Sequence, residues 1–338
     1  MSALINSNTP LLQLNEIFMY LKATKRPGRS MQARIWMWVM LCLLVVAAFQ
    51  LHTQRIDYRL YYWLKTHMHA DDWQDRAVWL PNYRVEIDAK PVIGIDNNLS
   101  GLTYDRDLGM LWTVINGPNE LVALSRDGDV LARYSLEGFS DVEAVTYIGN
   151  GQLVVAEERK QNLVIIDIPV SVDGRLLTSG SLNKEKYPSL KLAFWTEDNK
   201  GLESLTYDLK NDRLYVAKER DPIQLLEVSG LRASLDEGLP VSVRNLSDWI
   251  RDNVFATDVS SATYDEKSGH LVLLSDESKL LIEITTEGKV ISFRSLARGF
   301  AGLQKGIPQA EGVNIDEDGY LYVISEPSLF YRFTREPD

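Results

Sequence analysis

Ser204-Leu205-Thr206-Tyr207-Asp208, then a turn, then Leu214-Tyr215-Val216-Ala217-Lys218, is the stretch on which the fold turns, because its pattern returns along the chain. The other openings are Gly101-Leu102-Thr103-Tyr104-Asp105, Ala144-Val145-Thr146-Tyr147, Ser261-Ala262-Thr263-Tyr264-Asp265 and Gly312-Val313-Asn314-Ile315-Asp316. The residue before each opening, in chain order, is Ser100, Glu143, Glu203, Ser260 and Glu311. The residue that closes each following apolar run is Asn116, Glu158, Glu219, Asp276 and Glu326. No unit carries an apolar residue at either place. A period of roughly 40–60 residues built of short strands marks a β-propeller, whose equivalent positions meet around one central channel. Ten oxygen-bearing side chains, seven of them carboxylates, are therefore expected at one mouth.

Within a unit, turns such as Asp105–Gly109, Gly149–Gly151, Asp208–Asp212, Asp265–Gly269 and Asp316–Gly319 carry hairpin chemistry. A third strand follows in each, as in Leu121–Leu124 or Leu280–Ile284, and a fourth is readable in Val130–Leu136 and Val290–Leu296. Four antiparallel strands make a blade. The last unit ends at Phe333 without a fourth strand, and Tyr83–Ile87 or Val92–Ile95 is available to supply it and close the ring. The expected fold is all-β: a five-bladed β-propeller of four-stranded blades over residues 81–338. A sixth, degenerate blade inside the insertions 169–198 or 230–257 is the alternative. Asp248–Asn253 reads as a short helix in the second insertion. The turn aspartates read as hairpin residues and the repeated tyrosines as packing between blades.

The net charge of −11 is unevenly spread. Residues 1–80 hold nine basic and five acidic residues, and the remainder holds 27 and 42. So acidic a propeller is a poor match for nucleic acid, whose phosphates need a basic surface. It suits cations or cationic ligands better. Cys42 is the sole cysteine, so there is no disulfide framework and no cysteine-based zinc site.

Ile35 to Leu51, IWMWVMLCLLVVAAFQL, has no charge and is slightly short of a full bilayer span. Lys22, Lys25, Arg26, Arg29 and Arg34 precede it, while Arg55, Arg59 and Lys65, diluted by Asp57, follow. The positive excess on the N-terminal side predicts a cytoplasmic N-terminus. The resulting organisation is a cytoplasmic segment 1–34, a transmembrane anchor 35–51, a stalk 52–80 and a periplasmic propeller held at the bacterial inner membrane. A cleaved signal peptide and a buried core helix are the rival readings of the apolar stretch. Leu11, Leu14, Ile17, Phe18 and Leu21 recur at helical spacing and suit a short amphipathic helix. Tyr58, Tyr61, Tyr62 and Trp63 are expected near the outer membrane interface.

Unpaired carboxylates crowded at one mouth repel and raise one another's pKa, and a bound cation relieves this. An all-oxygen shell suits Ca²⁺. The candidate metal ligands are Glu143, Glu203, Glu311, Glu158, Glu219, Asp276, Glu326 and Asn116. Arg159 and Arg220 are the competing partners, but two guanidinium groups do not neutralise seven carboxylates.

Several stretches in order carry a family resemblance: NLSGLTYD (98–105), VINGPNEL (114–121), VAEER (155–159), VAKERDP (216–222), LSDES (274–278) and IPQAEGV (307–313). From about 85 to 335 the chain resembles the SdiA-regulated, YjiK-like family of membrane-anchored bacterial proteins. The resemblance implies a five-bladed propeller with a calcium site, distantly similar to NHL-repeat propellers, and no established biochemical activity. Two functions stay open. One is a metal-stabilised module that binds a small molecule or a protein at its mouth. The other is a metal-dependent hydrolase of lactonase type, in which the ion activates water, Glu143, Glu203, Glu311, Asn116 and Asp276 supply ligands, and Glu158 or Glu219 acts as base. The propeller's only histidine, His270, sits in a turn, which leaves the hydrolase without an imidazole relay.

Overall fold

Alternating strand and turn chemistry produces the expected meanders in a computed structural model, which describes residues 29–336 apart from 54–55, 69, 97 and 193–200. The amphipathic segment 10–21 and the cations Lys22, Lys25 and Arg26 lie outside the described residues. The chain divides into two units, 1–57 and 58–338.

The first unit contains helix α1 (Arg29–Thr53). Its Met31–Gln50 stretch has a mean hydropathy of 1.8 and no buried residue, so it is long and apolar enough to cross a membrane.

In the second unit, β1 (Tyr83–Pro91) comes early and waits for a partner at the other end of the chain. The first blade follows as β2 (Leu99–Asp105), β3 (Met110–Ile115), β4 (Glu120–Leu124) and β5 (Val130–Glu137). The second begins with β6 (Val142–Gly149), β7 (Gln152–Glu157) and β8 (Asn162–Asp167). The chain then lays β9 (Ser179–Asn183) parallel to β5 of the first blade before β10 (Ser189–Lys191) completes the second. The third blade is β11 (Leu202–Asp208), β12 (Arg213–Lys218), β13 (Gln224–Ser229) and β14 (Ser242–Asn245). The fourth is β15 (Ser261–Asp265), β16 (His270–Ser275), β17 (Leu280–Ile284) and β18 (Val290–Ser295). The last unit supplies β19 (Ala310–Ile315), β20 (Leu321–Ser325) and β21 (Leu329–Arg335), and β1 pairs antiparallel with β21 from Tyr83–Arg335 to Pro91–Leu329. Five sheets result, so the ring has five blades, and among the described residues the insertions hold no sixth.

Apolar residues from facing blades interlock in five clusters, one at each blade junction. Trp112 and Val114 meet Val145 and Val155 between the first two blades, for example, and Leu102 and Leu111 meet Tyr322 and Ile324 where the ring closes. The innermost strands form no common sheet, so their outward N–H groups need other acceptors. The repeated Thr or Asn answers this need. Thr103 Oγ1 accepts from Tyr147 N at 3.0 Å, Thr206 Oγ1 from Tyr264 N at 2.7 Å, and Asn314 Oδ1 from Tyr104 N at 3.1 Å.

The turn aspartates are hairpin residues. Asp105 Oδ1 accepts from Asp107 N and Leu108 N while its Oδ2 accepts from Trp112 Nε1, all between 3.0 and 3.1 Å. Asp316 does the same for Asp318 N and Tyr320 N, both at 2.9 Å.

The stretch 52–80 departs from a plain stalk. It forms α2 (Ile56–Met68) and α3 (Ala70–Trp73), and α2 is docked on the propeller. Tyr62 is fully buried against Phe293 and the apolar cluster of the third and fourth blades, and its Oη accepts from Phe255 N at 2.6 Å. Aromatic rings expected at a membrane interface therefore divide, with Tyr62 facing protein. Two further helices, α4 (Leu231–Glu237) and α5 (Ser247–Asn253), occupy the insertion after the third blade's third strand. The second matches the expected helix, and the first has no counterpart in the sequence reading.

The candidate acidic mouth

In each blade the innermost strand begins, and the second strand ends, at the same mouth of the channel. The first two residue sets read from the repeat are thereby brought together, with each blade's outgoing residue meeting the next blade's incoming one. Asn116 at the end of β3 donates its amide to Glu143 Oε1 at 2.5 Å and to Asp141 Oδ1 at 3.1 Å, in the approach to β6. Glu158 after β7 accepts from Gly201 N at 2.9 Å, just before β11. A Cβ on Gly201 would stand 2.6 Å from the Glu158 carbonyl oxygen, so this approach needs glycine. Val259 N donates to the Glu219 carbonyl at 3.0 Å, and Ala310 N donates to Asp276 Oδ1 at 2.7 Å. Ser100 and Ser260 take a different part. Their hydroxyls donate at 2.7 Å to the Glu143 and Ala310 carbonyls, so they tie blades together instead of facing the channel centre.

Among the described residues the tightest group is Asp141, Glu143 and Glu158, each with a carboxylate oxygen within 4.8 Å of the others. Asp141 was missed in the sequence because it lies in the loop before β6, outside the aligned strand. The available signal was a second acid two positions before Glu143, just ahead of the strand. Asp141 holds a left-handed backbone at φ 57°, and its carbonyl accepts from Glu158 N at 2.8 Å. Asp258 was missed as well. It is buried and accepts from Asp276 N at 2.9 Å and from Glu277 N at 3.2 Å, so it braces the Asp276 loop.

Cations do reach the rim. Arg159 Nε lies 2.9 Å from Asp141 Oδ2, Arg220 Nε lies 3.0 Å from Glu219, and Lys279 pairs with Asp276 at 2.5 Å. Lys218, although buried, spends its ammonium on the Arg220 and Asp221 carbonyls. Glu143, Glu158, Glu203, Glu311 and Glu326 form no ion pair with a described residue.

The electrostatics follow. Burial pushes the Glu143 carboxyl up to about 7, opposed by the Asn116 amide and reinforced by Glu158 and Asp141. Burial raises Glu311 to about 8, with Glu326, Asp276 and Glu143 adding to it against a hydrogen bond from Gln309. Glu203 is held well above the carboxylate range by burial and then by Glu158, Glu143, Glu219 and Glu311. Burial also raises Glu158, Glu219 and Glu326. The seven carboxylates read from the repeat thus form one mutually repelling set, and Asp141 joins it. The inward side chains offer oxygen ligands, seven of them from the carboxylates read in the repeat, and all-oxygen coordination is the chemistry a hard divalent cation requires.

His270 stands at the start of β16, whereas the acidic mouth is at that strand's end. Its Nδ1 lies 2.7 Å from Glu283 Oε1, in a buried network with Val78 N and Ser292.

A protein-family model described as SdiA-regulated matches residues 75–334. Solved structures similar to this chain include a nidogen/laminin complex, at 10% identity and a TM-score of 0.42 over 68% of this chain and 73% of that one. A catalytically inactive virginiamycin B lyase from Staphylococcus aureus with quinupristin is similar at 11% identity and a TM-score of 0.38, over 70% and 66% of the two chains. A streptogramin B lyase is similar at 13% identity and a TM-score of 0.37, over 76% and 75%. At this distance their ligands and reactions carry nothing over to this chain.

Proposed function

We propose that this chain, which belongs to the SdiA-regulated family, is a membrane-anchored propeller whose acidic mouth takes Ca²⁺ and presents, with the ion in place, a binding surface outside the bacterial inner membrane. The observation that carries the reading is the convergence of Asp141, Glu143 and Glu158 within 4.8 Å, backed by Glu203 and Glu311. Carboxylates held this close are destabilised unless protonated or neutralised, and a divalent cation neutralises two at once. Asn116 and the Gly201 N–H hold the Glu143 and Glu158 carboxylates through hydrogen bonds, and Ser100 fixes the Glu143 main chain. The apolar α1 supports the anchor, and the basic residues that precede it favour a cytoplasmic N-terminus.

The binding reading is favoured over a lactonase-type hydrolase because the propeller's one histidine is engaged by Glu283 at the other end of its strand. Thermal melts of the full chain in detergent test the ion. Millimolar Ca²⁺ raises the melting temperature and chelator lowers it, because a ligand bound only by the folded state stabilises it. A melt that neither changes overturns the proposal.

A further inference from the structure

Helix α2 has two apolar faces, and the propeller uses one. Tyr58, Tyr62 and Thr66, spaced at i, i+4 and i+8, face the domain: Tyr62 and Thr66 are buried, and Tyr58 stacks on Phe255. The opposite arc holds Leu60, Trp63, Leu64, His67 and Met68, at i, i+3, i+4, i+7 and i+8. On that arc Leu60 is 55%, Trp63 48%, Leu64 47% and Met68 74% exposed. Phe255 and Phe300, from loops around the fourth blade, extend the patch. Phe255 meets the Tyr61 ring at 4.6 Å, and the Arg59 guanidinium stands 5.3 Å over the Phe300 ring, yet both phenyl groups remain largely exposed. Four large apolar side chains exposed along one helical arc are uncommon on a protein that meets only water.

We infer that this outward arc of α2, with Phe255 and Phe300, lies in the headgroup region of an anionic bilayer and holds the propeller against the membrane surface. The inference rests on the anchor reading of α1. Two residues separate Thr53 from Ile56, and three peptide units reach at most about 11 Å. In an anchored chain α2 therefore starts at the bilayer surface, where an exposed apolar arc is covered by lipid at no further entropic cost of approach. Its composition suits that place. Trp63 is a residue that favours the interface, and the exposed Lys65 and Arg298, the latter two residues before Phe300, are cations available to lipid phosphates. Asp57, in the helix's first turn, and Asp71, in α3, are the acidic residues nearest this arc in sequence, each three positions from one of its ends. The exposed Lys65 places its ammonium 5.8 Å from the centroid of the Tyr61 ring.

The sole cysteine makes the test direct. Bimane is placed at native Cys42, or in the Cys42→Ala background at Leu64→Cys or Val172→Cys, both exposed positions. Each full-length protein is reconstituted in nanodiscs of phosphatidylcholine with a quarter phosphatidylglycerol, with and without lipid carrying a nitroxide, near the headgroup for 64 and 172 and deep in the acyl chain for 42. Strong quenching at 42 and 64 and weak quenching at 172 is expected, with bimane at 64 emitting as in an apolar medium. Quenching at 64 no stronger than at 172, with 42 quenched, overturns the inference and leaves the anchor standing. An unquenched 42 overturns both. A label at 64 that is unquenched but blue-shifted, in a particle holding two chains, assigns the face to a second copy and also overturns it.

Discussion

Glu143 and Glu311 show at single residues how the mouth couples protons and stability, the coupling that the proposed cation would enter. Their folded pKa values, about 7 and about 8, exceed the ordinary 4.5 that an unfolded chain provides. The protonated form is therefore the one the fold favours. This contribution is fully present below pH ~4.5 and is lost as pH rises through 7 to 8. Chelator-treated protein should melt at progressively lower temperature between about pH 5 and pH 9, and millimolar Ca²⁺ should flatten that slope by replacing the protons. A slope unchanged by the ion would count against the site. Glu203→Gln and Glu311→Gln remove one repelling charge each. Without metal they should melt no lower than the parent chain, while the gain from Ca²⁺ shrinks. Asp105→Asn is the contrast. It presents an amide donor to Trp112 Nε1–H or to the turn N–H groups, so it should cost about 1–3 kcal/mol while leaving the calcium increment intact, a combination that paired melts read directly. The ring carboxylates were legible in the sequence because the repeat places each at a fixed offset from a strand. Asp141 was not, because a loop residue in a left-handed conformation belongs to no periodic pattern.

Among the elements, strands with alternating or apolar runs bounded by Asp and Gly were readable, and those without were not. The fourth strands of the second and third blades, Ser189–Lys191 and Ser242–Asn245, are short, polar and largely exposed, so nothing in their composition separates them from loop. Ser179–Asn183 escaped for the same reason, since Ser-Gly-Ser carries no strand signal and its parallel partner lies in another blade. The closing strand was one of two candidates, and Tyr83–Pro91 prevailed over Val92–Ile95. Helix α2 was read as stalk because both of its faces are apolar, and its docking on the fourth blade depends on Phe255 and Phe293, distant in sequence. The junction between the first two blades gives the packing a clear test. Gly101 has φ +57°, and a Cβ there would lie 2.8 Å from Ala144 Cα. Gly101→Ala should cost about 1–3 kcal/mol or more through overpacking and backbone strain together, read as a lowered denaturation midpoint. A change within experimental error would mean that the blades separate more easily than this packing implies.

For the molecule as a whole, ring closure through β1 and β21 ties the segment following the apolar helix to the last strand of the chain, so the propeller's termini meet in one blade. The charge asymmetry around α1 sets an orientation for the proposed anchor: a C-terminal phosphatase fusion should be active and a cytoplasmic reporter at the same place silent, and the reverse pattern would turn the topology over. Acidity is concentrated where the five blades converge, and the central claim is that this convergence holds a cation. Isothermal titration of chelator-stripped full-length protein with Ca²⁺ tests it most directly, with Glu143→Gln as the companion. The account predicts a saturable site in the parent chain and at least roughly tenfold weaker binding in the variant, equivalent to about 1.4 kcal/mol. No saturable heat in either protein, together with unchanged melts, would contradict it and leave the carboxylates of the mouth neutralised by protons and arginine alone.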